Sequence, residues 1–540
     1  HSLRLDGQGY VETTAFDLDD SFTIAAWAKP ESFSGSALLA KHTDDGSNQF
    51  ILGFYSDRYH TNIRNESIGV GLPLTGWAHL TLVGLPHAGG TELTLYRNGV
   101  SQWTRTVAAK MGNLRPGRPW LIGMDWDGDN ATDHFVGNLA DIRLYDRALT
   151  PEQVADLALA FAAECAVPST GHPTVAGAVG DPNCDIVAVG AGQFPVTELA
   201  PEHGLILRGA GAGQTTLTDG GGSGPLLLLE NNTELQALSI TGVDRDINGP
   251  VLQVGAQSRA ALAGIAFQNN SGRDGGVIMN LGRLRVSDTL FAGNQASRGG
   301  AIFNYGAGAP GPTELHVQDS LFSGNSAGRG GALYSDAAQD TFISSDFSDN
   351  ASSSAGGAIY AYFNTLAVYD TVFENNASQG GAGALHIDYG QVTISGSQIN
   401  KNSAAADGGA IRITGSDARL AIRGTSFSGN SARFSGGAID AAAGFLDIAT
   451  ATFSANQAGD LATAAAPAST LSLYDAQARV ENSTFSGNQT LPGLIPVQST
   501  IRTGGDSDLT LVHSTVADND PGGEPGIFGL FAFGRSLQVH

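Results

Sequence analysis

Lysine is nearly absent from this chain. Lys29, Lys41, Lys110 and Lys401 are the only four in 540 residues. Lysine and arginine together number 28 against 52 aspartates and glutamates, a formal charge of -24. A surface of that sign repels nucleic acid, anionic lipid and polyanionic sugars. It also keeps the chain soluble and attracts divalent cations. Cysteine is limited to Cys165 and Cys184. An even pair predicts one disulfide and an oxidising compartment, two buried thiols being the alternative. Long apolar runs are missing too; none approaches the roughly 20 residues of a membrane-spanning helix. No Ser nucleophile elbow, zinc-ligand spacing, phosphate loop or dinucleotide fingerprint occurs. The chain opens at His1 without Met or a signal segment, which predicts a mature or trimmed product.

What is present divides in two. A chain of 540 residues is too long for one ordinary domain, so several units or one long solenoid are expected. Residues 1–150 show alternating apolar positions in many short runs, such as "SFTIAAWAKP" (21–30), "GWAHLTLVG" (76–84) and "GNLADIRLYD" (137–146). Gly, Asp and Asn turns separate them, as in a β-sandwich or jelly roll. Asn98-Gly99 in "YRNGV" is a tight hairpin signal. "DWDGDN" (125–130) alternates Asp125, Asp127 and Asp129 like an EF-hand start, but the twelfth position is Val136, so an EF-hand is rejected. A solvated turn is the preferred reading there.

"HSLRLDGQGYVE", "SFTIAAWAKP", Trp77-Ala78-His79, "LYRNGV" and above all the closing "FVGNLADIRLYDRALTPEQVADL" resemble a laminin-G-like (concanavalin A-like) jelly-roll domain over nearly all of 1–157. The resemblance implies a module that binds carbohydrate or protein. It also implies a structural Ca²⁺ between the first and last strands, with Asp6 and Asp141 at the matching positions; two turn caps are the equal alternative. Next, "LTPEQVADLALAFAAE" (149–164) has Thr150 as N-cap, Pro151 in the first turn, and Val154, Leu157, Ala158 and Phe161 on one face. Residues 151–183 are therefore assigned to a helix and linker that can also cap the next unit.

From 184 to 540 the chain repeats. The opening 184–219 resembles the first coils of pectin-lyase-like proteins. A consensus follows: Leu-x-Val-x-Asp-Ser/Thr-x-Phe-x-x-Asn, about five residues, then Gly-Gly-Ala-Ile. The Phe column runs Phe267, Phe291, Phe322, Phe347, Phe373, Ile399, Phe427, Phe453, Phe485, Val516, with an Asn three places after each, at intervals of 24 to 32 residues. That period fits one turn of a right-handed parallel β-helix, with three strands and three corners. Phe is expected inside, Asn at a left-handed corner bonded to its copies, and Gly-Gly where Cβ has no room. The paired motifs also resemble the repeats of polymorphic outer-membrane proteins, bacterial surface adhesins, strongly over 260–460 and weakly over 470–520. The predicted fold class is all-β: a jelly-roll β-sandwich followed by a right-handed parallel β-helix.

If Ile of Gly-Gly-Ala-Ile faces inward, the next residue faces out. That column reads Phe303, Tyr334, Tyr360, His386, Arg412, Asp440, and two places on it reads Tyr305, Asp336, Tyr362, Asp388, Thr414, Ala442. Aromatic faces stack on sugars, and carboxylates and Arg bond hydroxyls, so this strip is the candidate ligand groove. Asp336, Asp388 and Asp440, with Arg412 or Lys401, are the candidate catalytic groups for a polysaccharide hydrolase or lyase. The preferred reading is an extracellular or cell-surface adhesin or matrix protein that binds a glycan or a surface protein. A polysaccharide-degrading enzyme is the alternative. A head-to-tail homo-oligomer or filament is the third reading, because β-helix ends expose strand edges and "GIFGLFAFG" (526–534) can cap or dock.

Overall fold

The computed structural model describes the chain except residues 1, 33–34, 43–47, 56–57, 64–65, 72–76, 109–118, 128–129, 160–162, 232, 246–248, 460–467, 491–498, 521–529, 533–535 and 540. Lys110, Asp129, Phe161 and most of the 526–534 tail thus lie outside the described residues. The chain forms two compact units: 1–164 with 182–186, and 165–181 with 187–540. Both cysteines are disulfide-bonded.

The first unit is a sandwich of two six-stranded sheets, paired antiparallel throughout the registers described. Alternation builds it: along Phe22–Pro30 and Ala78–His87 the inward side chains Phe22, Ile24, Leu80 and Leu82 meet Leu39, Phe50, Leu52 and Phe54 of the facing sheet. Trp120 is fully buried in this core. Its indole N–H, which needs a partner away from water, donates to the Phe16 carbonyl at 3.1 Å. Asn98 and Gly99 adopt φ of 49° and 82°, the tight turn expected. A helix at Pro151–Leu159 carries Val154 and Leu157 onto Val83, Tyr96 and Leu149.

The second unit is a parallel β-solenoid. Among the described residues its strands form sheets of 15, 13, 12 and 10. The fourth sheet departs from the three-strand coil expected. It is made of the residues after each Asn, such as Gln295–Arg298, Ser326–Arg329 and Ala351–Ala355. These pair in parallel with their copies in the neighbouring coils. The 13-stranded sheet carries the Phe column, with rings stacked 4.6 Å apart from Phe291 to Phe322 and from Phe322 to Phe347. A second, five-residue helix, Val175–Val179, was not anticipated; it buries Val175, Ala178 and Val179 and packs on Gly192–Val196, the first strand of that sheet.

The Asn column is a continuous buried ladder. From Asn294 to Asn488 each side-chain amide donates both to the next Asn Oδ1 and to a Phe-column carbonyl of an earlier coil: Asn350 to Asn376 Oδ1 and to Phe322 O, each at 2.9 Å. The left-handed residue is not this Asn but the one before it: Gly293, Gly324, Asp349, Asn375, Lys401 and Gly429 all have φ between 53° and 66°. The ladder Asn is spared because its donors are needed inward, whereas the preceding side chain faces solvent. In Gly-Gly-Ala-Ile the second glycine is fixed by sterics. A Cβ on Gly331 would stand 2.1 Å from the Gly357 carbonyl, and one on Gly357 2.0 Å from that of Gly383.

Candidate functional site

The register confirms that the strip is one column per coil. Phe303, Tyr334, Tyr360, His386, Arg412 and Asp440 pair in succession, and Tyr305, Asp336, Tyr362, Asp388 and Thr414 run alongside. The first column does point away from the Phe core, yet it is not open. Phe303 is 2% exposed, Tyr334 5%, Tyr360 6%, His386 8% and Asp440 7%; only Arg412 reaches 25%. The cover comes from the fourth sheet and its flank. The Arg298 guanidinium lies 4.5 Å over Phe303 and 5.5 Å over Tyr334, Arg329 lies 5.5 Å over Tyr360, and Ala355 closes the cluster. The rings spend their faces on one another, Tyr334 on Tyr360 at 5.1 Å and Tyr360 on His386 at 4.7 Å. A sugar has no access to them, so the open aromatic groove expected from the sequence is corrected to a second, satellite core. The second column is half-buried and supplies the accessible groups.

The candidate catalytic groups are likewise engaged. Asp388 accepts from Thr414 Oγ1 at 3.0 Å and from the Tyr360 hydroxyl at 3.3 Å. His386 shares Thr414 at 3.3 Å; burial, then the Arg412 and Arg329 charges, push its pKa down to about 3, so it is neutral. Arg412 sits 3.4 Å from both Asp407 and Asp440. Burial, followed by repulsion from Asp407, pushes Asp440 up to about 7 despite Arg412. Asp440 is thus a buried structural acid held by Arg412, not a solvent-facing base. Lys401 lies at a corner, paired with Glu374 at 2.8 Å, and not in the strip. Asp336 is half-buried, and burial raises its pKa.

The jelly-roll calcium assignment fails on register. Asp6 pairs with Val136, and Leu3 with Leu139, so Asp141 lies beyond the opposite end of that ladder. Five positions at strand rise put the two residues roughly 17 Å apart along the backbone. One ion cannot bridge them. Asp6 accepts from its own turn, Gln8 N at 3.1 Å, and Asp141 accepts from Arg143 at 2.8 Å.

Two features escaped the sequence reading. One is a depression of about 520 Å³ on the outer face of the 15-stranded sheet, where Ala421 interrupts a column of larger side chains among Gln391, Thr393, Arg419, Phe445, Asp447 and Arg479. Its groups answer one another: Arg419 covers the Phe445 ring at 4.5 Å, Arg423 pairs with Asp447, and Arg479 with Glu481 at 2.7 Å. The other is an exposed aromatic pair, Phe363 and Tyr389, one residue beyond the strip strands. Extending the repeat alignment by a single column would have found it.

With fold and site in view, the class is plain. Residues 5–155 match the family model of the concanavalin A-like lectin/glucanases superfamily. Residues 288–305, 319–336 and 344–362 match the Chlamydia polymorphic membrane protein repeat. The chain therefore joins a laminin-G-like jelly roll to a β-solenoid with repeats of that type. No curated protein matches it significantly. Solved structures similar to part of it include a heptameric SAP-like pentraxin from Limulus polyphemus (20% identity, 29% of this chain, 81% of that one, TM-score 0.25). Domain 4 of an extracellular GH43 arabinanase from Geobacillus stearothermophilus, in complex with arabinotriose, is similar too (20%, 29%, 76%, 0.24). So is a sialidase CBM40 from Ruminococcus gnavus bound to α2,3-sialyllactose (14%, 29%, 98%, 0.24). Likeness at this level says nothing of what this chain binds. No helix among the described residues is long and apolar enough to cross a membrane.

Proposed function

We propose that the protein is a bacterial cell-surface or extracellular adhesin in which the jelly roll binds a glycan and the solenoid is a display scaffold. The observation that carries this reading is the joining, in one chain, of a lectin-superfamily jelly roll to polymorphic-membrane-protein repeats. The disulfide supports an oxidising location. Catalysis is disfavoured because Asp440 is buried and ion-paired, and Asp388 is bound by Tyr360 and Thr414. The full chain is tested on an immobilised glycan array and, in parallel, for release of reducing ends from polysaccharides. Binding without release is expected. Release that disappears in Asp388→Asn would replace this reading with a hydrolase or lyase.

A further inference from the structure

At the corner after four successive strip strands, one residue per coil adopts a left-handed backbone: Ala337 at φ 51°, Phe363 at 46°, Tyr389 at 55°, Gly415 at 93°. Such a corner favours Gly or Asn, and a bulky ring there is an outlier. Phe363 and Tyr389 are nonetheless 53% and 42% exposed. Their rings stack at 4.8 Å and 8°, and Tyr362 meets Phe363 edge-on at 4.7 Å. On one side the stack is closed. Gly415 lies against Tyr389, and a Cβ there would come within 2.7 Å of the ring. On the other side the preceding coil places Ala337 at the equivalent corner, and among the described residues no ring stacks on that face of Phe363. The stack therefore has one vacant place, about a coil spacing of 4.8 Å wide.

The rim of that place is acidic. Asp336, adjacent to Ala337, pairs in register with Tyr362, which pairs with Asp388. Arg298 also acts on the Asp336 carboxylate, but it is shared with Asp274 at 2.9 Å, so one guanidinium is divided between two acids. We infer that Phe363, Tyr362 and Asp336 form a saccharide subsite in which a pyranose ring stacks on Phe363 above Ala337 and its hydroxyls donate to the Asp336 carboxylate. The ligand is a neutral or N-acetylated oligosaccharide. Two carboxylates beside the platform repel uronate and sialate, and an aromatic face with convergent acceptors suits the apolar face and hydroxyl edge of a sugar. The ligand class rests on the glycan-binding reading above, although the site is in the solenoid and not in the jelly roll.

The test titrates the full chain calorimetrically with chitohexaose, cellohexaose, mannohexaose and hexagalacturonate. At least one neutral hexasaccharide should bind and hexagalacturonate should not. Phe363→Asn should weaken the solenoid site at least tenfold without lowering Tm, since Asn suits the left-handed corner. Ala337→Tyr, which fills the vacancy, should block the same site. If the jelly roll also binds, Phe363→Asn takes the stoichiometry from two to one. Binding wholly abolished by Phe363→Asn upholds this subsite and removes the jelly-roll assignment. Binding untouched by Phe363→Asn overturns the subsite and leaves the jelly roll. No binding by any neutral hexasaccharide overturns both.

Discussion

At the scale of single residues, burial decides roles that side-chain type alone leaves open. Asn350 is fully buried and serves three partners: it donates to Asn376 and Phe322 and accepts from Asn325. Asn350→Ala strands those three groups at about 1–3 kcal/mol each, so a loss of at least about 3 kcal/mol is expected. A lowered urea midpoint, with faster amide exchange centred on the 325–376 coils, would register it. Asp440 gives a second prediction. Its pKa is about 7 folded against 3.8 unfolded, so between those values the native state holds a proton that the unfolded chain releases. Stability from this group is full below pH 4 and is lost as pH rises through 7. Asp440→Asn cannot ionise, and its melting temperature relative to the parent chain should climb between about pH 4 and 7 and level off above. A constant difference would show that Arg412 already holds the carboxylate ionised. His386 acts in the opposite sense. Kept neutral at about 3, it weakens the fold as pH falls below 6.5.

At the scale of strands and corners, the sequence was legible wherever a repeat column reports a contact between copies of itself. Phe291, Phe322 and Phe347 stack as their spacing required, and the strip columns pair in the predicted register. Alternation says which way Tyr334 points; it does not say what lies above it. The covering residues, Arg298 and Arg329, sit in short strands with little hydrophobic pattern, "QASR" and "SAGR", so the fourth sheet and the burial it causes were invisible. Asp6 and Asp141 misled for a related reason, because a family position carries no register. The corner glycines separate two costs. Gly424, at φ 54° with nothing within 4 Å of an added Cβ, should lose only about 1 kcal/mol on mutation to Ala. Gly357→Ala drives a methyl into the next coil's carbonyl and should cost several times more. Parallel thermal melts compare them; equal costs would show that the coils slide apart easily.

At the scale of the molecule, the two units rest on different physics. The jelly roll closes one cooperative core around Trp120, whereas each solenoid coil bonds chiefly to its neighbours. Heating or denaturant should therefore melt the solenoid in more than one stage, and no single unfolding free energy describes it. The ladder has a last consequence. Ser344 and Asp370 occupy equivalent left-handed corners, and Ile343 pairs with Tyr369. Excising residues 344–369 would join Ile343 to Asp370 with every remaining column still aligned. The shortened protein should fold, and should measure one strand spacing, about 4.8 Å, less along the solenoid axis. Coil number is then a free parameter of heredity: a gene can lengthen or trim this solenoid by whole turns and leave every remaining ladder intact.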